Sequence, residues 1–295
     1  MPQLGFDGMP RRLYPCTPSR LRTWLDCPRR YKMTYLDRPA PSKGPPWAHN
    51  SLGASVHNTL ARWWSLGRRE RTPVAAGDLL ERGWIPDGYS DAEQAARYLS
   101  VARAWVERYV AGLDPDREPA GVERTVGTKT ALIAVSGRID RLDDRPLTGQ
   151  PDGAGRRELV VVDYKTGRHP MTVDDARSSL ALALYAIAAG QVLRRPCVTV
   201  ELHHLPSGQV LRWEHSQESL GRQLRRAEDI AGECAAADES FRHGPATATT
   251  RAFAPRPGSW CGWCDFLAHC PDGQRAGTPR RPWDGLAEVP DSGRQ

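Results

Sequence analysis

Lysine is nearly missing from this chain. Of 41 basic residues in 295, only Lys32, Lys43, Lys129 and Lys165 are lysine, and the other 37 are arginine. Phenylalanine and methionine are also scarce, at four each. No apolar run approaches the roughly 20 residues of a membrane span, which excludes a membrane-embedded protein of the helical kind. The start, MPQLGFDGMPRRLYP, lacks the apolar segment of a signal peptide, and no internal repeat is visible. We therefore expect a cytoplasmic protein with no membrane partner. In a reducing compartment, seven cysteines point to metal binding or chemistry rather than to disulfides.

What is present begins with length and charge. The chain is long enough to bury a large core as one elaborated domain or two. Its formal charge of +6 favours an anionic partner, but the excess is spread along the chain, so it does not select nucleic acid by itself. Thr17-Pro18 predicts a helix start, with Leu21, Trp24 and Leu25 on one face and an end near Cys27-Pro28. Further helices are expected at about 51–66, which carries His57, and 91–113. The hydrophobic period then changes to two, predicting a meander of three strands over 123–129, 130–140 and 158–167, the last two separated by a long loop. A helix over 174–189, strands over 197–205 and 209–215, and a helix over 217–239 complete the pattern.

The third strand, ELVVVDYKTG, ends an apolar run with polar groups. Side-chain alternation puts Asp163 and Lys165 on one face and Tyr164 on the other. A carboxylate beside an ammonium suits metal-assisted phosphodiester cleavage, one holding a hard divalent ion and the other steadying developing charge. The bare acid-x-Lys triplet is expected about 0.5 times by chance, and a solvated ion pair would look the same. The choice of residue is more telling: an arginine-rich chain spends one of its few lysines here.

Three other signals surround it. Asp140, in GRID, ends the preceding strand and reads equally as a turn aspartate. His57 flanks an apolar stripe, as a core histidine or a ligand. Cys261, Cys264 and Cys270 sit in SWCGWCDFLAHC, a spacing suited to zinc or to an iron-sulfur cluster. The fourth ligand would be Cys27, at a helix end before proline, with His269 as its rival. Cys16, Cys197 and Cys234 have no such setting.

Together, SRLRTWLDCPRRYKMTYL, GASVHNTL, GRIDRLD, VVDYKTG and the cysteine tail, in this order over residues 19–270, resemble the RecB-like nucleases of the PD-(D/E)XK superfamily. The likeness is to the iron-sulfur branch with AddB-type helicase-nucleases and CRISPR-associated exonucleases. The resemblance implies an α/β fold with a restriction-endonuclease-like core, a central mixed sheet flanked by helices, an N-terminal helical part and a C-terminal cluster loop. It implies DNA as substrate, helicase or other repair proteins as partners, and Mg²⁺ or Mn²⁺ held by His57, Asp140, Asp163 and the Tyr164 carbonyl. Lys165 would orient the attacking water. Cys27, Cys261, Cys264 and Cys270 would hold a 4Fe-4S cluster that mainly stabilises the fold. The family's Gln-x3-Tyr pair survives here only as Tyr185, a DNA contact, because Ala181 stands where the glutamine is expected. Glu123 also matches an acidic position, without a role. On this reading 1–16 is a disordered N-terminus and 17–272 one nuclease domain. Within it, 17–113 is helical, 120–240 is the catalytic core and 255–272 the cluster loop; 273–295 is a disordered tail.

Overall fold

The computed structural model describes residues 13–147, 155 and 157–286. Strand β1 (Tyr14–Cys16) leads into a helical part: α1 (Pro18–Asp26), α2 (Pro28–Tyr35), α3 (Ala48–Trp64), α4 (Pro73–Arg82) and α5 (Ala92–Ala111). The run β2 (Gly121–Lys129), β3 (Ile133–Pro146) and β4 (Arg157–Lys165) follows, then α6 (Val173–Ser178), α7 (Leu180–Leu193), β5 (Thr199–His204) and β6 (Gln209–Glu214). Helices α8 (Gln217–His243), α9 (Ala246–Ala252) and α10 (Pro271–Ala276) come last, with 3-10 turns at Ser259–Trp263 and Leu267–His269. No helix of the described residues is long and apolar enough to cross a membrane.

Local chemistry explains the boundaries. Thr17 accepts a hydrogen bond from the Arg20 N–H at 3.1 Å and Pro18 opens α1, as Thr-Pro predicts. The same dipeptide at Thr72-Pro73 starts α4, a helix absent from the sequence reading. The single helix expected over 174–189 is two, because Ser179 is extended (φ −66°, ψ 106°) and caps α7 through Leu182 N–H.

The sheet runs β1-β3-β4-β5-β6, with β2 also paired to β3. β2, β3 and β4 are antiparallel neighbours, β4 and β5 run parallel, and β5 and β6 are antiparallel, so the sheet is mixed. β2 occupies one edge of β3. The other edge is shared: β1 pairs with residues 133–135 and β4 with 141–146. Between them, positions 136–140 have no strand partner on that edge among the described residues.

Alternation sorts the core into layers. Val160, Val162 and Tyr164 of β4 pack with α3, α4 and α5, whereas Leu159 and Val161 pack with α7 on the other face. A third apolar group joins α1, α2 and α8 to β1 and the start of β3.

Both chain ends depart from the expected boundaries. Tyr14–Cys16, placed in a disordered N-terminus, forms β1, because the Tyr14 hydroxyl donates to buried Asp238 at 2.8 Å and Cys16 is buried. The tail placed from 273 onward continues in order to Leu286: α10 packs on the cysteine loop, Ala48 N–H donates to Pro282 O at 3.0 Å, and Leu286 enters the α3–α5 core. Residues 1–12 and 287–295, also expected to be disordered, lie outside the described residues.

Candidate active site and metal centre

The gap on the β3 edge is where the polar residues gather. Pairing of β3 with β4 stops at Arg141↔Val162, so Asp140 and Asp163 are the next residues on each strand, on one face, where the ladder has opened. There the Asp140 side chain replaces the missing main-chain partner, its Oδ2 accepting from the Tyr164 N–H at 2.9 Å. His57, from α3, reaches the same opening: Nδ1 is 3.4 Å from Asp140 Oδ2 and Nε2 is 3.1 Å from the Tyr164 carbonyl oxygen. Lys165 forms an ion pair with Asp163. His57, Asp140, Asp163, the Tyr164 main chain and Lys165 are thus brought together.

The charges of these groups interact. Burial disfavours ionised Asp140, but His57, the Tyr164 N–H and Lys165 outweigh it and hold the carboxyl below the usual aspartate range. Asp163 moves upward, because burial and the nearby Asp140 together exceed the pull of Lys165. Burial also opposes the imidazolium form of His57, yet Asp140 and Asp163 prevail and raise its pKa. Two oxygen acceptors face the two nitrogens of one imidazole, an arrangement that calls for positive charge at this point.

Glu123 completes the set. Its β2 position would pair with Asp140, but the ladder passes from Val122↔Arg141 to Arg124↔Ile139 and skips it. Glu123 is left-handed, with φ 48°, a conformation uncommon outside glycine, and this turns its side chain off the regular pleat. His57, Glu123 and Asp140 each offer a ligand atom, all within 4.8 Å of one another. Glu123 also pairs with Arg138 at 2.7 Å, and burial with the charge of Asp140 raises its pKa. The sequence reading had no role for it. An acid within a β-patterned run gives no hint of a left-handed backbone.

Tyr185, on α7, lies against the Cα of Gly137, on the same gap. Its hydroxyl pKa is pushed up to about 12 by burial and by Asp163 and Asp140, which places the phenol within their field. Ala181 is one turn earlier on the same helix.

The cysteines form a separate centre. Cys27, Cys261, Cys264 and Cys270 all line one cavity of about 480 Å³, with Arg29 and Arg30 on its wall. The Arg29 guanidinium lies 3.8 Å from Cys270 Sγ, and burial raises the Cys264 thiol with Cys27 adding to the effect. His269, the rival fourth ligand, does not line this cavity: its Nε2 is engaged with Ser42, 3.1 Å from the hydroxyl and 3.0 Å from the carbonyl. Cys16, Cys197 and Cys234 are buried elsewhere.

Comparison with known proteins adds the family. A solved structure from Eubacterium rectale, described as a "Putative exonuclease", aligns over 91% of this chain and 90% of that chain, with TM-score 0.46 and 8% identity. No curated protein matches. The sequence model of the PD-(D/E)XK nuclease superfamily matches residues 15–271, from β1 through the cysteine loop, and the chain belongs to that superfamily.

Proposed function

We propose that this protein hydrolyses DNA phosphodiesters with a divalent cation, Mg²⁺ or Mn²⁺. On this reading it works as an exonuclease on single strands or DNA ends, in repair, recombination or processing of foreign DNA. The observation that carries the reading is the meeting of His57, Glu123, Asp140 and the Asp163–Lys165 pair at the β3 gap. Carboxylates, a main-chain carbonyl and an imidazole fit such an ion. Asp140, Glu123, His57 and the Tyr164 carbonyl would hold it, with Asp163 alongside. When bound, the ion polarises the phosphoryl group and neutralises charge that builds on it. Lys165, fixed by Asp163, orients the attacking water and steadies the pentavalent phosphate. Tyr185 contacts the substrate backbone. Arginine-rich helices would track the backbone, making binding salt-sensitive and largely blind to sequence.

We further read the cysteine cavity as a 4Fe-4S site, which would put the chain in the RecB-like iron-sulfur branch. What supports this reading is that all four thiols line one cavity of about 480 Å³; zinc would use the same ligands. The cluster would join residue 27 to residues 261–270 and contribute stability; electron transfer is not required of it.

A second reading, a DNA-binding scaffold with little turnover, draws on Ala181, which removes an amide from the turn before Tyr185. Incubation with labelled single-stranded DNA and Mn²⁺ separates the two. Cleavage that is lost in Lys165→Ala supports the nuclease; retention of DNA without cleavage by the unaltered protein sinks it in favour of the scaffold.

A further inference from the structure

Beneath the site, on the face of the sheet away from the catalytic acids, six side chains close a ring. Arg141 Nη1 donates to the Tyr109 hydroxyl at 2.9 Å, and that hydroxyl lies 2.7 Å from His203 Nδ1. Glu201 Oε2, which can only accept, lies 2.8 Å from His203 Nε2 and so takes the bond from Nε2–H; burial favours the neutral ring, whose Nδ1 then accepts from the Tyr109 hydroxyl. Glu201 also accepts two bonds from Arg145, at 2.7 and 2.9 Å. Arg145 reaches Asp143 at 2.6 Å, and Asp143 pairs with Arg141 Nε at 2.8 Å, returning to the start. The ring spans β3, β5 and α5, on the face of the sheet to which Val162 of the intervening β4 also belongs, beside Arg141 and Glu201 in register.

All six line a cavity of about 690 Å³, and the charges at its floor are costly to keep there. Arg141 is 2% exposed and Glu201 3%. Burying such charges costs several kcal/mol per ion before pairing, and apolar replacements of like volume often leave stability unchanged or improve it. The ring has one spoke: Arg141 Nη1 also donates to the Tyr164 hydroxyl at 3.2 Å. Tyr164 is gripped around its ring as well, by Tyr109 at 5.6 Å and His203 at 6.4 Å between centroids. Its main chain is the part that serves the site, the N–H on Asp140 and the carbonyl on His57.

We propose that Arg141, braced by Tyr109 and the rest of the ring, is a positioning residue for the cation site. Main-chain pairing of β3 and β4 ends at Arg141↔Val162. Past that point the Arg141–Tyr164 contact fixes the separation of the two strands from below, while Asp140 and the Tyr164 N–H fix it from above. Loosening the phenol lets the Tyr164 carbonyl drift relative to Asp140, so the cation loses a preformed donor. The inference rests on the metal-site reading above.

The test is a Mn²⁺ titration of the full chain, followed by electron paramagnetic resonance of the free ion, with melting of the metal-free protein measured in parallel. Tyr164→Phe removes only the phenol oxygen, and Arg141→Met removes the donors at similar length. Each is expected to raise the Mn²⁺ dissociation constant about tenfold, at the lower end of outer-shell effects, with the double variant no worse than Arg141→Met alone. Should Arg141→Met fail to fold, Tyr164→Phe decides. Unchanged Mn²⁺ affinity in Tyr164→Phe, whether or not its melting point falls, overturns the proposal. Failure of the metal-site reading is distinguishable: the unaltered protein would then bind no Mn²⁺, or bind it equally well after Asp140→Asn.

Discussion

Replacing Gly137 by alanine should destabilise this protein, and the structure explains why. Gly137 lies in regular extended strand, outside the left-handed region, so an alanine there suffers no backbone penalty. A Cβ would instead run into Cε1 of Tyr185, with Cδ1 and Cζ close behind. Tyr185 is half-buried beside the carboxylates, so relieving the contact means moving the ring against its neighbours. Overpacking of this kind costs about 1–3 kcal/mol. Against it stands about 0.4–1 kcal/mol gained because alanine restricts the unfolded chain. The net is a loss centred near about 1.3 kcal/mol within a span of roughly 0 to 2.6, which at that centre is a fall in melting temperature of about 3–5 °C for a domain of this size. In a Tyr185→Ala background the collision is gone and only the gain remains, so the same substitution should raise the melting temperature. Thermal unfolding of the four proteins of this cycle is the assay, with DNA cleavage as a second readout, since a displaced Tyr185 would lose its proposed contact with the substrate. If Gly137→Ala shifts stability in the same direction with and without the Tyr185 ring, the placement of Tyr185 on the β3 gap is refuted.

Glu201 sets an acid limit. Burial opposes its charge, but His203 and Arg145 prevail and bring its pKa from 4.5 to about 2. A depressed carboxylate gives stability that is full above its unfolded pKa and is lost as pH falls from about 4.5 to about 2, on the order of 3 kcal/mol. Urea unfolding across that window should show the loss, and Glu201→Gln, weaker at neutral pH, should show a flatter dependence. Cys264→Ser should yield protein without brown colour and with a lower melting temperature; a coloured, equally stable variant contradicts the cluster reading. Supplying the amide with Ala181→Gln should speed cleavage of single-stranded DNA about tenfold, as one added hydrogen bond at a charged centre would, and an unchanged rate removes Ala181 from the account of activity.

How much of this was readable beforehand depended on whether a signal was local. Asp163 and Lys165 follow from strand alternation alone, and they sit together as expected. Thr17-Pro18 marks α1 because a cap acts within one turn, and the identical signal at Thr72-Pro73 marks α4. The meander was visible in the change of hydrophobic period. That Asp140 faces Asp163 was not, because register depends on where the β3–β4 ladder stops, and the loop between those strands hides it. Glu123 was visible only as an acid, since a positive φ in a strand leaves no mark in composition. Tyr14–Cys16 looked like tail because three residues carry no periodicity, and its order comes from Asp238, 224 positions away.

The wiring between the ends of the chain has a consequence for biosynthesis. Trp24 donates to Glu233, Arg29 pairs with Asp272 across 243 positions, and Cys27 faces a cavity whose other thiols are Cys261, Cys264 and Cys270. During translation, α1 and α2 emerge long before any of these partners exists. The strands bearing the acids can pair while the opening helices still lack their last contacts. A polypeptide that stops before residue 261 would therefore carry every proposed ion-binding group and no clasp, one that quality-control proteases could recognise by its unfastened helices.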